Sequence, residues 1–380
     1  MEKGLQLRSL HGTSNIPKVD SNLIADYFDF GGNTPFRVPE SPLSMIASSD
    51  EFVRAYQAFV KPYNFVGAPI YVAVFEDCIV TSEGAVVLKD GSILQESLYP
   101  YVEKDYLSGF TRSFIQKDGN IFLNTDTIIE RNDSCVYMRE RGESGYFHWI
   151  NSILPRLMVE KKVKSLGELP LMINNRTSFA KDTLNLLNVS PDRCVSTAQT
   201  VKVKKLFFMS PWIIGNSHWT RPPEIKELFP FFAESIAGLD CTPSKNIYLS
   251  RGDAPVRKLD NEPDVSKFLS NHNFETVTIG DMPFSDQARL FASTKLLVTV
   301  HGAGLSNIIF MKPGTTVVEL VSPDRLWPTF RSLAARVGVN YIAIVGDRLP
   351  PDPSYIGDLG NRDMKIDITL LGQLLTLINK

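Results

Sequence analysis

Hydrophobic residues fall into two textures along this chain. From Tyr71 to Leu123 they form short strand-like runs, YVAVFEDCIVT, GAVVLKDGSIL and FIQKDGNIFL, with Asp90-Gly91 and Asp118-Gly119 placed where hairpin turns need them. These predict a small antiparallel β element over residues 65–140. Further on, strand-like and helix-like runs alternate. The spacing of Ile150, Ile153, Leu154, Leu157 and Met158 predicts a helix over Phe147–Lys162, kinked or restarted at Pro155. Strands are predicted at Leu169–Asn174, Arg193–Thr197 and Leu206–Met209, with a helix at Ser178–Leu187. That alternation suits a first Rossmann-like domain ending near residue 215.

Residues 211–243 are dense in Pro, Trp and Phe and read as a bridge packed between domains. A second, more regular series follows. Strands are expected at Ile247–Ser250, Thr276–Ile279, Leu296–Val300, Thr315–Val321 and Tyr341–Val345, and helices at Pro263–Ser270, Phe284–Ser293, Leu305–Met311 and Trp327–Val337. Short uninterrupted apolar runs imply a parallel sheet covered on both faces. The expected organisation is an arm over 1–60 (extended or irregular to about residue 45, then a short helix at Glu51–Val60), an N-terminal domain over 61–215 and an interdomain segment over 216–245. A ligand-binding domain over 246–350 follows, then a loop and terminal helix, Ile368–Ile378, over 351–380.

Composition narrows the function classes without choosing one. Hydrophobic content of 43% and charged content of 22% are ordinary for a folded chain of 380 residues. A net charge of -2 gives no nucleic-acid footprint. Cys78, Cys135, Cys194 and Cys241 form no CxxC and no framework, which suits free thiols in a reducing compartment. Neither a secretory leader nor a membrane-length apolar run is visible. The expected location is therefore cytoplasmic, with peripheral association at the inner face of a membrane left open.

Candidate chemistry gathers where predicted parallel strands end, since open α/β sheets bind ligands there. After Leu296–Val300 comes His301-Gly302-Ala303-Gly304, then Leu305 and Asn307 on the next helix. Unobstructed backbone and free N–H groups suit a phosphate, although neither GxxxxGK[ST] nor GxGxxG is present. Glu319 ends the following strand and could accept two ribose hydroxyls, or be a solvated strand-end acid. Arg251 ends the first strand of this domain, followed by Arg257, Lys258, Asn261 and Glu262. The guanidinium fork suits phosphate oxygens, while RKLDNE could also be a solvated charge run. Asp286 could cap its helix or touch the ligand. In the first domain, His148 stands among Tyr146, Phe147 and Trp149, an arrangement suited to stacking on a sugar or to a general base; packing in the core is the plain alternative. Glu143 and Glu160 are nearby acids. No spacing resembles a metal site, and no covalent-hydrolysis motif appears.

HWI-x-x-x-LPRL at 148–157, YLSRGDAPVRKLDNE at 248–262 and FSDQARLFASTKLLVTVHGAGLSNIIFMKPGTTVVEL at 284–320 together resemble glycosyltransferase family 61. The resemblance runs from about residue 140 to 347. That family includes bacterial capsular polysaccharide biosynthesis proteins and eukaryotic xylosyl- and N-acetylglucosaminyltransferases. It implies a GT-B-like fold of two Rossmann-like domains facing a cleft, and inverting transfer from a nucleotide sugar, UDP-linked by expectation, to a glycan or lipid-linked glycan. It also implies no required metal. Arg251 and His301 to Gly304 would hold the diphosphate and Glu319 the ribose; Asn261-Glu262 matches the family's Asn-Glu pair. Asp286 stands where the family has Glu, and Asn151 and Ser152 where it often has an acid, so His148 or a nearby carboxylate such as Glu143 is the expected base. A polysaccharide assembly complex and a homo-oligomer are the expected partners. Two other classes compete: a nucleotide-sugar epimerase or phosphate-binding hydrolase, and a non-catalytic binding or scaffold subunit.

Overall fold

The computed structural model describes residues 5–8, 10, 18–30, 35–40, 44–46, 61–66, 69–98, 110–124, 127–140, 142–163, 165–195, 198–211, 227–350 and 354–378. The chain divides into two compact units. One comprises Met1–Pro35 and Val66–Leu228, the other Phe36–Phe65 and Phe229–Lys380.

The first unit is built on a nine-stranded mixed sheet. Val201–Met209 is its seam: it runs antiparallel to Tyr71–Val80 on one side and parallel to Ile129–Tyr137 on the other. Leu171–Met172 and Cys194–Val195 extend the parallel side. Most of the β element therefore shares one sheet with the α/β part, while its hairpin, Phe114–Lys117 and Asn120–Leu123, forms a separate two-stranded sheet. Tyr71, Val72, Ala73, Val74 and Phe75 are all buried, so the first half of this antiparallel strand has no wet face and reads as a continuous apolar run, which the exposed Glu76 and Asp77 end. The Asp118-Gly119 turn takes left-handed φ at both residues, 49° and 76°, as a two-residue hairpin turn requires.

The predicted Phe147–Lys162 helix is one helical path with a defect. Tyr146–His148 and Leu154–Lys162 are α-helical, and Trp149–Ile153 between them is a π turn, so the Leu154 N–H reaches Trp149 O. Pro155, which has no N–H to donate to the preceding turn, follows directly on this π turn, the defect a proline inside a helix calls for.

The second unit carries a six-stranded, all-parallel sheet. Its order is Glu275–Val277, Lys245–Leu249, Thr294–Val300, Thr316–Val321, Asn340–Val345 and Ser44–Ile46. Strand order reverses between Lys245–Leu249 and Thr294–Val300, which makes the gap beyond their carboxyl ends the topological switch point. Arg251 and His301 leave from those two ends.

Several boundaries differ from expectation. The described parts of residues 1–45, expected as an extended or irregular arm, include strands of both sheets: Gln6–Arg8 and Ile24–Asp29 pair in the first, and Ser44–Ile46 edges the second. Edge pairing is made by backbone groups, which composition does not register. The expected Glu51–Val60 helix lies outside the described residues, as do 212–226 of the expected bridge. From Phe229 that bridge is core of the second unit, with Phe232 against Phe284 and Phe310. The loop after Pro350 contains a strand, Met364–Lys365, paired with Asp347–Arg348. Ile368–Ile378 packs Leu371, Leu374 and Leu375 into the same unit's core. No described helix is long and apolar enough to cross a membrane.

Candidate active site

At the switch point of the parallel sheet, His301 continues the ladder through its own N–H to Leu320 O, and the backbone then turns into a 3-10 helix, Ala303–Phe310. The imidazole is buried. Its Nδ1 lies 2.5 Å from Glu319 Oε1, and Tyr341 OH donates to Glu319 Oε2. A proton shared on the Nδ1 side leaves Nε2 as the ring's outward polar atom, an acceptor when neutral and a donor when protonated. Glu319 is 0% exposed, in mid-strand, with both oxygens engaged. Its expected ribose contact is therefore corrected: the carboxylate orients His301.

Arg251 crosses Gly302 closely. A β-carbon built at 302 would stand 1.9 Å from Arg251 Nη1, so the arginine occupies the volume a side chain would need. Two further guanidiniums join it. Arg257 is held in a left-handed conformation, φ 57°, and its Nη1 donates to Asn361 Oδ1 at 2.6 Å. Arg325 donates to Asp358, Asn361 and Gly360 O, with its guanidinium 4.1 Å from the centre of the Trp327 ring. Trp327 itself is 41% exposed and meets His301 edge-on.

The electrostatics of this cluster are strained by design of position. Burial, then the charges of Arg251 and Arg325, push Arg257 down to about 10 against the pull of Asp358. Burial likewise lowers Arg251 and Arg325. The Nε atoms of Arg251 and Arg257 are buried without a hydrogen-bond partner. Cations that are half dry, close together and short of acceptors are what an incoming anion would relieve.

The remaining candidates of this unit mostly support the cradle. Glu262 accepts from Tyr248 OH and Ser250 Oγ, and Ser250 Oγ in turn accepts the Gly252 N–H, fixing the turn that carries Arg251. Asn261 pairs both ways with the backbone of Ile366, so its expected ligand contact is corrected to a clamp on the C-terminal strand region. Asn307 is fully buried and donates to Gln287, and the Leu305 side chain is core. Asp286 forms a surface ion pair with Arg289. The Lys258 backbone is held by Asp363, and its side chain is half-buried.

In the first unit, His148 Nδ1 lies 2.8 Å from Glu140 Oε1, and Glu140 Oε2 meets Ser152 Oγ and, at 3.1 Å, Arg156 Nη2. Burial alone would raise Glu140, but the His148 hydrogen bond and the Arg156 charge outweigh it and hold it below the ordinary carboxylate value. Glu143 is not a free base: Arg139 grips it at 2.9 Å and 2.8 Å. Trp149 is fully buried with its N–H on Thr183, which removes it as a stacking surface, and Glu160 is paired with Arg193. Glu140, Arg325 and Trp327 were not singled out in the sequence. An acid in MRERGE carries no signal until the strand end and the π turn bring His148, Ser152 and Arg156 to it, and Arg325 is placed by Asp358 and Asn361, more than 30 residues away. Among the described residues, no group of three or more His, Cys, Asp or Glu is placed to hold a metal ion.

Residues 146–318 match the family model described as Glycosyltransferase 61. Over 81 residues the chain is 36% identical to protein O-linked-mannose beta-1,4-N-acetylglucosaminyltransferase 2 of Canis lupus familiaris, covering 20% of this chain and 14% of that protein. The Mus musculus counterpart is 39% identical over 74 residues, 18% of this chain and 13% of that protein. Beta-1,2-xylosyltransferase of Arabidopsis thaliana is 32% identical over 66 residues, 17% of this chain and 12% of that protein. The alignments thus span only a small part, 12% to 14%, of these relatives' length. Both the matched family and these relatives are sugar-transferring enzymes.

Proposed function

We propose that this chain is a glycosyltransferase of the GT-B-like class that moves a sugar from a nucleoside diphosphate to a glycan hydroxyl. One observation carries the reading: three partly buried guanidiniums, Arg251, Arg257 and Arg325, converge beside His301 at the switch point of a parallel sheet, two of them with unpartnered Nε atoms. A diphosphate supplies the missing acceptors and charge. Trp327, backed by Arg325, offers a face for the nucleobase.

The step is an in-line displacement with inversion. The acceptor oxygen forms a bond to the anomeric carbon as the bond to the β-phosphate oxygen breaks, and that electron pair leaves with the diphosphate. The acceptor's proton passes to His148 Nε2. The arginines stabilise charge on the departing group, the work a divalent ion does elsewhere, so turnover should survive EDTA. A UDP-linked donor fits the relatives named for N-acetylglucosaminyl and xylosyl transfer. A place in surface-polysaccharide assembly rests on the sequence resemblance of residues 140–347.

A melting screen tests the reading, because a ligand bound by the native state raises the melting temperature. UDP, UDP-N-acetylglucosamine and UDP-xylose should raise it, and Arg251→Gln should abolish the shift. A flat response to every nucleoside diphosphate would sink the donor site. Sugar transfer only when an acceptor glycan is added separates a transferase from an epimerase or hydrolase.

A further inference from the structure

We propose that Glu140 is a positioning residue for His148: it keeps the imidazole proton on Nδ1 and so leaves the Nε2 lone pair for the acceptor hydroxyl. This rests on the reading of His148 as the base. Glu140 follows directly from the carboxyl end of the Ile129–Tyr137 strand, reached through Met138 and Arg139, and its side chain is 3% exposed. One oxygen takes His148 Nδ1 at 2.8 Å, and the other is held by Ser152 Oγ and Arg156 Nη2. Ser152 lies within the π turn and Arg156 just beyond it, with His148 just before it, so that turn brings a hydroxyl, a guanidinium and an imidazole to one carboxylate.

The ring is confined on its other side. Gly142 has φ 90°, and a β-carbon there would lie 2.8 Å from His148 Nε2, so only a glycine lets the chain pass this close. Phe147 meets the ring edge-on at 5.4 Å. The result is a histidine fixed at one nitrogen by a fully supported anion and 26% exposed overall. A carboxylate whose only task was to pair with buried Arg156 would have no need of a partly exposed imidazole. When Nε2 takes the acceptor's proton, the ring becomes cationic and Glu140 is already placed to stabilise it. The carboxylate does not itself accept the proton.

The test is the tautomer of His148 in the intact chain, read from ring-nitrogen shifts in long-range proton–nitrogen spectra. The five histidines are few enough that the His148 signal is identified by its loss in His148→Ala. Wild type should show protonated Nδ1 and bare Nε2. In Glu140→Gln the amide can donate to Nδ1 and drive the proton to Nε2. Turnover of UDP-N-acetylglucosamine or UDP-xylose, followed as UDP release, should then fall about 10²- to 10⁴-fold with KM for the donor unchanged. Should Glu140→Gln not fold, Glu140→Asp keeps the charge for Arg156 while withdrawing it from Nδ1. It should give a mixed tautomer and at least about a 10-fold loss in kcat. A folded Glu140→Gln or Glu140→Asp with wild-type tautomer or wild-type kcat overturns the proposal. Full turnover in His148→Ala overturns the base reading itself, and the proposal with it.

Discussion

Gly302 and Arg251 share one volume. The β-carbon that Gly302 lacks would stand 1.9 Å from Arg251 Nη1, while Gly302 itself is extended, with φ -179°, a conformation any residue can take. An alanine at 302 therefore strains no backbone; it moves a guanidinium at the far end of a flexible side chain. Gly302→Ala should leave the melting temperature of the free protein within a degree or two and weaken UDP binding about 10- to 100-fold, the loss of one charge-assisted contact set worth about 1.5–3 kcal/mol. Calorimetric titration with UDP reads this directly. An unchanged Kd would mean that Arg251 does not touch the diphosphate.

Arg257 makes the cradle costly when empty. Its pKa is pushed down to about 10 by burial and by Arg251 and Arg325, so the folded state holds this proton less tightly than the unfolded chain. Protonation at neutral pH thus works against folding, and the penalty fades as pH rises through about 10. A bound diphosphate reverses the sign by favouring the charged form. Arg257→Gln should keep or raise the melting temperature of the free protein and cut the UDP-induced shift by at least about half. In the wild type, UDP affinity should be level from about pH 7 to 9, where Arg257 stays charged, and the variant should bind UDP more weakly throughout that range. A destabilised variant with a full UDP shift would contradict the cluster's role.

Glu319 distinguishes two accounts of the same strand. A carboxylate on the ribose would matter for UDP and be irrelevant to pyrophosphate. A buried carboxylate that aims His301 must affect both alike. Glu319→Gln should weaken UDP and inorganic pyrophosphate by a similar factor. Tyr341→Phe should cost about 1–3 kcal/mol of stability in chemical denaturation, since it strips a hydrogen bond from a buried acid. If Glu319→Gln weakened UDP alone, the ribose role would be restored.

What was legible in the sequence follows from which forces act locally. The second unit's central strands, Thr294–Val300, Thr316–Val321 and Asn340–Val345, are buried almost throughout and the end of Lys245–Leu249 is buried too, so they stand out as apolar runs, and His301, Gly302 and Arg251 announce themselves by following such runs. The terminal helix was expected at Ile368–Ile378 and is found there. Contacts between distant segments left no local trace. Arg257 meets Asn361 across 104 residues, and Glu319 is satisfied by Tyr341 on the neighbouring strand, which made a buried orienting acid resemble a ligand-facing one. Asn261 misled for the same reason, because its partner, the Ile366 backbone, is 105 residues away. Backbone pairing adds Ser44–Ile46 to the second sheet, and three residues are too few to show a strand period in the sequence.

Glu143 was a candidate base, and its surroundings assign it other work. Both Nε and Nη2 of Arg139 bind its Oε1, its Oε2 accepts the Glu140 N–H at 3.2 Å, and it is buried. These bonds close the turn that carries Glu140 toward His148. Glu143→Gln preserves shape and one acceptor but leaves the Arg139 charge unanswered in a dry setting. Removing one partner of a buried pair outright costs about 3–5 kcal/mol, and the amide should recover part of that, leaving a loss of roughly 1–3 kcal/mol. Urea denaturation should show that loss, while turnover per folded molecule stays within about threefold of wild type, far short of the roughly 10²-fold or greater loss that follows removal of a general base. A Glu143→Gln enzyme that is fully stable but inactive would return Glu143 to the list of bases and displace His148.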